Sequence, residues 1–232
     1  MSAPNTLNWI RVGLLALPLY GVLTAWSTLD PQPDSSKHPE AWSRFVGFTS
    51  YLVDHIIGAI GGTVLAILGV FALGAYLANS RAGRMGLAAM IMTVVGHGLS
   101  LVIGGVSTFA SNALGRAYLA GMEEVQQVEY PTAMMVTFGV AILLALVGNV
   151  LLGVAVWRSG TLPKWAGALW VASAVMFYVL GAVTGMLTTG ASLPTQPAGG
   201  LLIAISGGWI AWSVLRQPST EAVGVGVQPR VQ

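Results

Sequence analysis

Residues 48–109 read FTSYLVDHIIGAIGGTVLAILGVFALGAYLANSRAGRMGLAAMIMTVVGHGLSLVIGGVSTF, two long apolar segments joined by a short basic turn. A helix needs about 20 apolar residues to cross a hydrocarbon layer roughly 30 Å thick, because each residue rises about 1.5 Å. Both segments are long enough, and the turn SRAGR at 80–84 supplies charges that stay in water. The stretch therefore predicts a hairpin of two transmembrane helices.

Apolar segments of this kind occur six times along the chain, which predicts an all-α, polytopic membrane helix bundle with six transmembrane helices. The predicted spans are residues 7–29, 48–78, 85–109, 131–157, 165–189 and 198–215. One bundle domain thus covers residues 1–217. Residues 218–232 contain no comparable segment, and we expect them to form a flexible cytoplasmic tail.

The composition limits both the class of protein and its chemistry. Hydrophobic residues make up 55% of the chain and charged residues 8%, whereas a soluble domain has roughly 25% charged residues. The net charge is +2 without a dense cluster of Lys and Arg, so we expect no binding of nucleic acid. Cysteine is absent, which excludes thiolate metal sites and iron–sulfur clusters. A cofactor would therefore need histidine, methionine, carboxylate or backbone oxygen ligands.

The basic residues indicate an orientation, because Lys and Arg are retained on the cytoplasmic side of a membrane. With six spans, seven of the ten basic residues fall on the side of both termini and three on the other side. This pattern predicts cytoplasmic termini in a bacterial-type plasma membrane. In an alternative interpretation, Ala25-Trp26-Ser27 ends a cleaved signal peptide, which would leave five spans.

Two longer connections lie on the side opposite the termini. The first, DPQPDSSKHPEAW at 30–42, is rich in Pro, Ser and Asp, so we expect it to be irregular. The second, SNALGRAYLAGMEEVQQVEYP at 111–131, carries apolar residues at helical spacing. That pattern predicts a short interfacial helix, separate from the third span.

Spans two and three each carry a polar, small-residue face that includes a histidine. Steps of three and four residues return to nearly the same side of a helix. Ionisable side chains inside a membrane are rare and are usually functional. The predicted binding residues are Tyr51, Asp54, His55, Gly58 and Gly62 on span two, with His97 and Gly104 on span three.

The two histidines could meet across the hairpin, since only a short turn joins their helices. At about 1.5 Å per residue, His55 and His97 lie roughly 10 and 18 Å from the outer ends of their spans, a difference that helix tilt could remove. Converging imidazoles could ligate a metal or hold a b-type haem axially. A quinone-binding or proton-binding role is equally open. The alternative is structural, with each neutral ring hydrogen-bonded to a neighbouring span and the glycines serving helix packing.

Asp54 is the only carboxylate within a predicted span, and it is adjacent to His55 in sequence. A carboxylate beside an imidazole can orient the ring, tune its pKa or relay a proton. The alternative is a solvated residue near the end of a helix.

The leading functional hypothesis is a membrane protein that binds a small ligand or redox cofactor (haem, metal or quinone) between spans two and three. The chain lacks the Walker, HExxH and GxSxG motifs, so the sequence identifies no catalytic residue. Two alternatives remain, a noncatalytic accessory or assembly subunit of a membrane complex and a small-solute transporter. The expected partners are the lipid bilayer, other membrane proteins or a second copy of the chain.

Overall fold

The described part of the chain contains six helices that are long and apolar enough to cross a membrane. The structure is a computed structural model that describes residues 6–188 and 193–217. The spans, numbered 1 to 6 in chain order, are Asn8–Ser27, Thr49–Leu77, Gly83–Leu119, Thr132–Arg158, Lys164–Thr188 and Thr195–Leu215. The predicted fold class and number of spans are confirmed. The predicted tail, residues 218–232, lies outside the described residues.

Successive spans are antiparallel, so their connections define two ends of the bundle. The short-turn end carries the connections 78–82 and 159–163, and the long-loop end carries the connections 28–48 and 120–131. Span 1 packs between spans 2 and 6, and span 3 packs between spans 2 and 4. Leu17, Leu73, Trp170 and Ile210 are fully buried in the common core.

Span 3 is much longer than the sequence suggested. It is one helix of 37 residues, Gly83–Leu119, which makes it roughly 55 Å long at about 1.5 Å per residue. The prediction of a separate interfacial helix in 111–131 is therefore wrong, because residues 111–119 continue span 3. Polar residues there indicated correctly where the apolar segment ends, but nothing in the sequence breaks the helix until Gly121, which has a φ of +94°.

A second helix, Pro39–Gly47, lies in the connection that we expected to be irregular. This loop helix packs Trp42 and Val46 into a small cluster beside Leu114 of span 3. Asn112 anchors it, because its side-chain amide donates a hydrogen bond of 2.6 Å to the Val46 carbonyl. The loop helix depends on this contact with the extension of span 3, and such tertiary stabilisation is not visible in local composition.

Two spans contain π-helical segments, Asp54–Gly61 in span 2 and Val175–Val183 in span 5. In a π-helix the backbone bonds to the fifth residue along, so the turn is wider and the side chains change face. The regular helical spacing used to align Tyr51, His55, Gly58 and Gly62 therefore does not hold along span 2. Such segments occur frequently at functional sites.

Spans 3 and 4 approach so closely that side chains are excluded at two positions. A Cβ added to Gly96 would lie 2.5 Å from the backbone nitrogen of Ala145. A Cβ added to Gly148 would lie 2.6 Å from the backbone nitrogen of Thr93. Small residues allow such backbone contact in membrane helices. The close packing fixes the position of the residue next to Gly96, which is His97.

Candidate functional site

His97 is buried inside the bundle, with 4% of its surface exposed. Its Nδ1 lies 2.8 Å from the Thr93 carbonyl oxygen one turn earlier. A carbonyl only accepts hydrogen bonds, so Nδ1 carries the proton. In the neutral ring Nε2 then has a free lone pair, and the hydroxyl of Tyr20 donates to it at 3.3 Å.

Tyr20 brings span 1 into the site. Its side chain is 3% exposed, and its ring meets the imidazole edge-on with the ring centroids 5.7 Å apart. The side chains of Thr24 and Tyr178 also interact with the Tyr20 hydroxyl. Polar groups from spans 1, 3 and 5 therefore form one connected set.

These residues line a cavity of about 200 Å³, which we call the central cavity. Every span contributes to it. Its lining consists of Tyr20, Thr24, Ser27, Thr28, Ala59, Thr63, His97, Ser100, Phe138, Ile142, Phe177, Tyr178, Ala182 and Gln196. Both π-helical segments take part, through Ala59 on span 2 and through Phe177, Tyr178 and Ala182 on span 5. None of the described lining residues is charged.

His55 lies in a different cavity, of about 300 Å³, near the long-loop end. Its Nδ1 donates to the Tyr51 carbonyl at 3.0 Å, and its ring stacks on that of Tyr51 with centroids 3.9 Å apart. Asp54 and Asp30 line the same cavity. The structure thus brings Tyr51, Asp54 and His55 together.

The two histidine cavities are neighbours, because Ser27 lines both of them. The two histidines nevertheless line different cavities. His55 lines only the cavity near the long-loop end, which we call the outer cavity, and His97 lines only the central cavity. Across the described residues, no group of three or more His, Asp or Glu side chains is placed to hold a metal ion. The geometry gives no support to haem or metal ligation by this pair.

The predicted site glycines have other surroundings. Gly58 and Gly62 face span 1, where an added Cβ would lie 2.5 Å from the Cβ of Ser27 and 3.4 Å from that of Leu23, respectively. They let spans 1 and 2 pack closely. Gly104 faces open space, with no neighbouring heavy atom of the described chain within 4 Å of an added Cβ. None of the three lines either cavity.

The sequence did not single out Tyr20, Thr24 or Gln196 as site residues. Tyr20, Thr24, Ser27 and Thr28 follow helical spacing and form a polar face on an otherwise apolar span. The same periodicity that singled out His55 and His97 could have identified this face. Gln196 gives no such signal, because it lies beside the start of span 6, where polar residues are expected.

Comparison with known proteins matched no family model, no curated protein and no solved structure. A functional assignment therefore depends on the geometry of the site itself.

Proposed function

We propose that this multi-pass membrane protein binds a small, neutral ring compound bearing hydroxyl or carbonyl oxygens, the chemical class of quinols and quinones, in the central cavity. One observation carries the proposal. A buried imidazole and a buried phenol, His97 and Tyr20, share a hydrogen bond inside a cavity lined by all six spans. Ligand sites in helix bundles are typically apolar cavities with a few polar groups that fix orientation.

The protonation pattern of His97 suits such a ligand. With its proton on Nδ1, the ring offers Nε2 as an acceptor for a ligand hydroxyl. The present donor, Tyr20, lies 3.3 Å away, at the long end of hydrogen-bond distances. A ligand hydroxyl at a shorter distance could replace it and free the Tyr20 hydroxyl to donate to a second ligand oxygen.

The remaining lining favours a flat, uncharged molecule. Phe138 and Phe177 supply aromatic surface, against which a ring packs edge-on or offset. The absence of charged residues in the described lining favours a neutral compound, since an ion would lose its hydration without a partner. About 200 Å³ is below the roughly 300–1,000 Å³ of drug-sized sites. A single substituted ring fits this volume better than a haem macrocycle.

The test is a calorimetric titration of the full chain, purified in detergent, with a methoxy-substituted benzoquinone that lacks an isoprenoid tail. The oxidised and reduced forms of the probe are titrated separately. We expect saturable binding by the wild type. His97→Gln and Tyr20→Phe should each weaken it between about twofold and tenfold, the loss of one hydrogen bond. His38→Gln is the matched control, because His38 lies exposed in the loop beside the loop helix, and it should leave binding unchanged.

Three outcomes would contradict the proposal. They are absence of saturable binding to the wild type, unchanged binding in both His97→Gln and Tyr20→Phe, and loss of binding in His55→Gln instead, which would place the ligand in the outer cavity. If His97→Gln failed to fold while the folded wild type and Tyr20→Phe showed no saturable binding, the accessory-subunit alternative would be favoured over ligand binding.

We further propose that both termini face the cytoplasm of a bacterial-type plasma membrane. Described basic residues concentrate at the short-turn end, where Arg81, Arg84, Arg158, Lys164 and Arg216 lie. Positively charged connections remain cytoplasmic. Fusion of a cytoplasm-active or a periplasm-active reporter to the C-terminus tests this, and activity of the periplasmic reporter would contradict it.

A further inference from the structure

We propose a second binding site, for the phosphate group of an anionic phospholipid, in a cavity at the short-turn end. This cavity measures about 460 Å³, and three arginines line it, Arg81, Arg84 and Arg158. We call it the arginine cavity. The arginine cavity lies at the short-turn end, whereas the cavity that His55 lines lies near the long-loop end. The proposal is independent of ligand binding at His97.

The two short turns of the bundle meet at this cavity. Gly160 adopts a left-handed conformation, with a φ of +74°, so the turn 159–163 bends sharply after Arg158. The Cδ, Nε and Cζ atoms of Arg81 lie 3.7, 3.8 and 3.9 Å from the position of an added Cβ on Gly160. The side chain of Arg81 therefore rests on the neighbouring turn. Two hairpins, spans 2 and 3 and spans 4 and 5, contribute to one basic site.

The three guanidinium groups have no carboxylate partner in the described chain. The described ion pairs, Lys37 with Asp34 and Arg44 with Glu40, both lie at the long-loop end. The described carboxylates all occur between Asp30 and Asp54 or between Glu123 and Glu129, which is the same end. Three like charges around one cavity repel each other. An anion in the cavity would remove that repulsion.

The site offers the donors that a phosphate requires. Arginine presents several N–H groups in a planar fork, which pairs with two phosphate oxygens at once. Span 3 begins at Gly83, between Arg81 and Arg84. The N-terminus of this long helix adds backbone donors and the positive end of its dipole.

The position of the cavity favours a lipid as the source of the phosphate. Trp157 and Trp165 flank the turn 159–163, with 41% and 67% of their surfaces exposed and ring centroids 5.6 Å apart. Exposed tryptophans at the ends of spans lie at the level of the lipid headgroups. The turns 78–82 and 159–163 are too short to project beyond that level. Basic pockets between spans on the cytoplasmic side bind anionic headgroups.

Native mass spectrometry of the detergent-purified full chain tests the proposal. The probes are dioctanoyl phosphatidylglycerol and dioctanoyl phosphatidylcholine, presented separately at equal concentration. We expect the wild type to retain the anionic lipid in preference to the zwitterionic one. Arg81→Gln, Arg84→Gln and Arg158→Gln should each lower the affinity for phosphatidylglycerol about fivefold, which corresponds to about 1 kcal/mol per basic residue.

Arg116→Gln is the matched control. It removes the same charge from an exposed arginine at the long-loop end of span 3, and we expect wild-type lipid retention. Benzoquinone binding should be unchanged in all four variants, so failure here would be distinct from failure at the central cavity.

Three results would overturn the lipid site. The first is equal retention of the two lipids by the wild type. The second is an equal loss in Arg116→Gln and in the three cavity variants, which would indicate a general effect of net charge. The third is an affinity for inorganic phosphate equal to that for phosphatidylglycerol, seen as displacement of the lipid by millimolar phosphate. That result would make the arginine cavity a site for free phosphate rather than for a lipid.

Discussion

The hydroxyl of Tyr20 lies 3.3 Å from Nε2 of His97, although the two residues are 77 positions apart. Because Thr93 already occupies Nδ1, Nε2 is the only ring nitrogen left to interact with another span or with a ligand. Span 1 is therefore the hydrogen-bonding partner of the histidine on span 3, and the other histidine-bearing helix, span 2, is not.

Removal of the Tyr20 hydroxyl should destabilise the bundle modestly. Tyr20→Phe keeps the ring and deletes one donor, so Nε2 of His97 loses its partner. Hydrogen bonds between membrane helices contribute about 0.6–2 kcal/mol, and we expect a decrease of this size in the free energy of unfolding by SDS. Tyr118→Phe, outside the apolar part of span 3, is the control, and an equal decrease there would contradict the prediction.

The two glycines that flank His97 should respond oppositely to alanine. Gly96→Ala places a Cβ 2.5 Å from the backbone nitrogen of Ala145, and such overpacking costs about 1–3 kcal/mol. Gly98 has no neighbouring heavy atom of the described chain within 4 Å of an added Cβ. Gly98→Ala should be neutral or stabilising by up to about 1 kcal/mol, because alanine favours helix. Similar unfolding midpoints for the two variants would contradict the close contact between Gly96 and Ala145.

Asn149 should be essential to the packing of Trp170. The indole N–H donates to the Asn149 side-chain oxygen at 3.0 Å, and Trp170 has no exposed surface. Asn149→Ala leaves this buried donor unpaired, at a cost of about 1–3 kcal/mol in unfolding free energy. Asn79→Ala removes an exposed amide at the short-turn end and should change stability little. Equal stability of the two variants would contradict the assignment.

The loop carboxyl of Asp34 should titrate at unusually low pH. The side chain and backbone N–H of Ser36 donate to it, and Lys37 adds a further donor and a positive charge, which lowers the pKa of Asp34 from 3.8 to about 2. A depressed pKa means that the stabilisation is present above the unfolded value near 3.8 and is lost as the pH falls towards 2. Carbon-13 NMR of the carboxyl measures it. Ser36→Ala should raise the pKa, and an unchanged midpoint would contradict this assignment.

The sequence predicted the parts of the fold that depend on composition. Six apolar segments predict six spans because the thickness of the bilayer sets the length of each helix. It did not predict the loop helix or the extension of span 3, since each is stabilised by contact with the other through Asn112 and Val46. Neither segment carries a sufficient local signal by itself.

The surroundings of the two histidines follow only in part from the sequence, for a similar reason. Polarity in an apolar span indicated an inward-facing His97, which the structure confirms by its burial. The cavity that a side chain lines depends on the rotation of its helix, which neighbouring spans determine. The π-helical segment that begins at Asp54 changes that rotation within span 2. The separation of His55 from His97 therefore could not be derived from regular spacing.

Span 3 is one continuous helix that connects the loop helix with the interior of the bundle. A flexible loop between these two regions would have let them move independently. His97 and Asn112 are fifteen residues apart on it, or roughly 22 Å along its axis. Asn112 is tied to the loop helix outside the apolar layer, while His97 faces the interior of the bundle. Because span 3 is continuous between these two residues, a displacement of the loop helix would be transmitted along span 3 to the imidazole of His97.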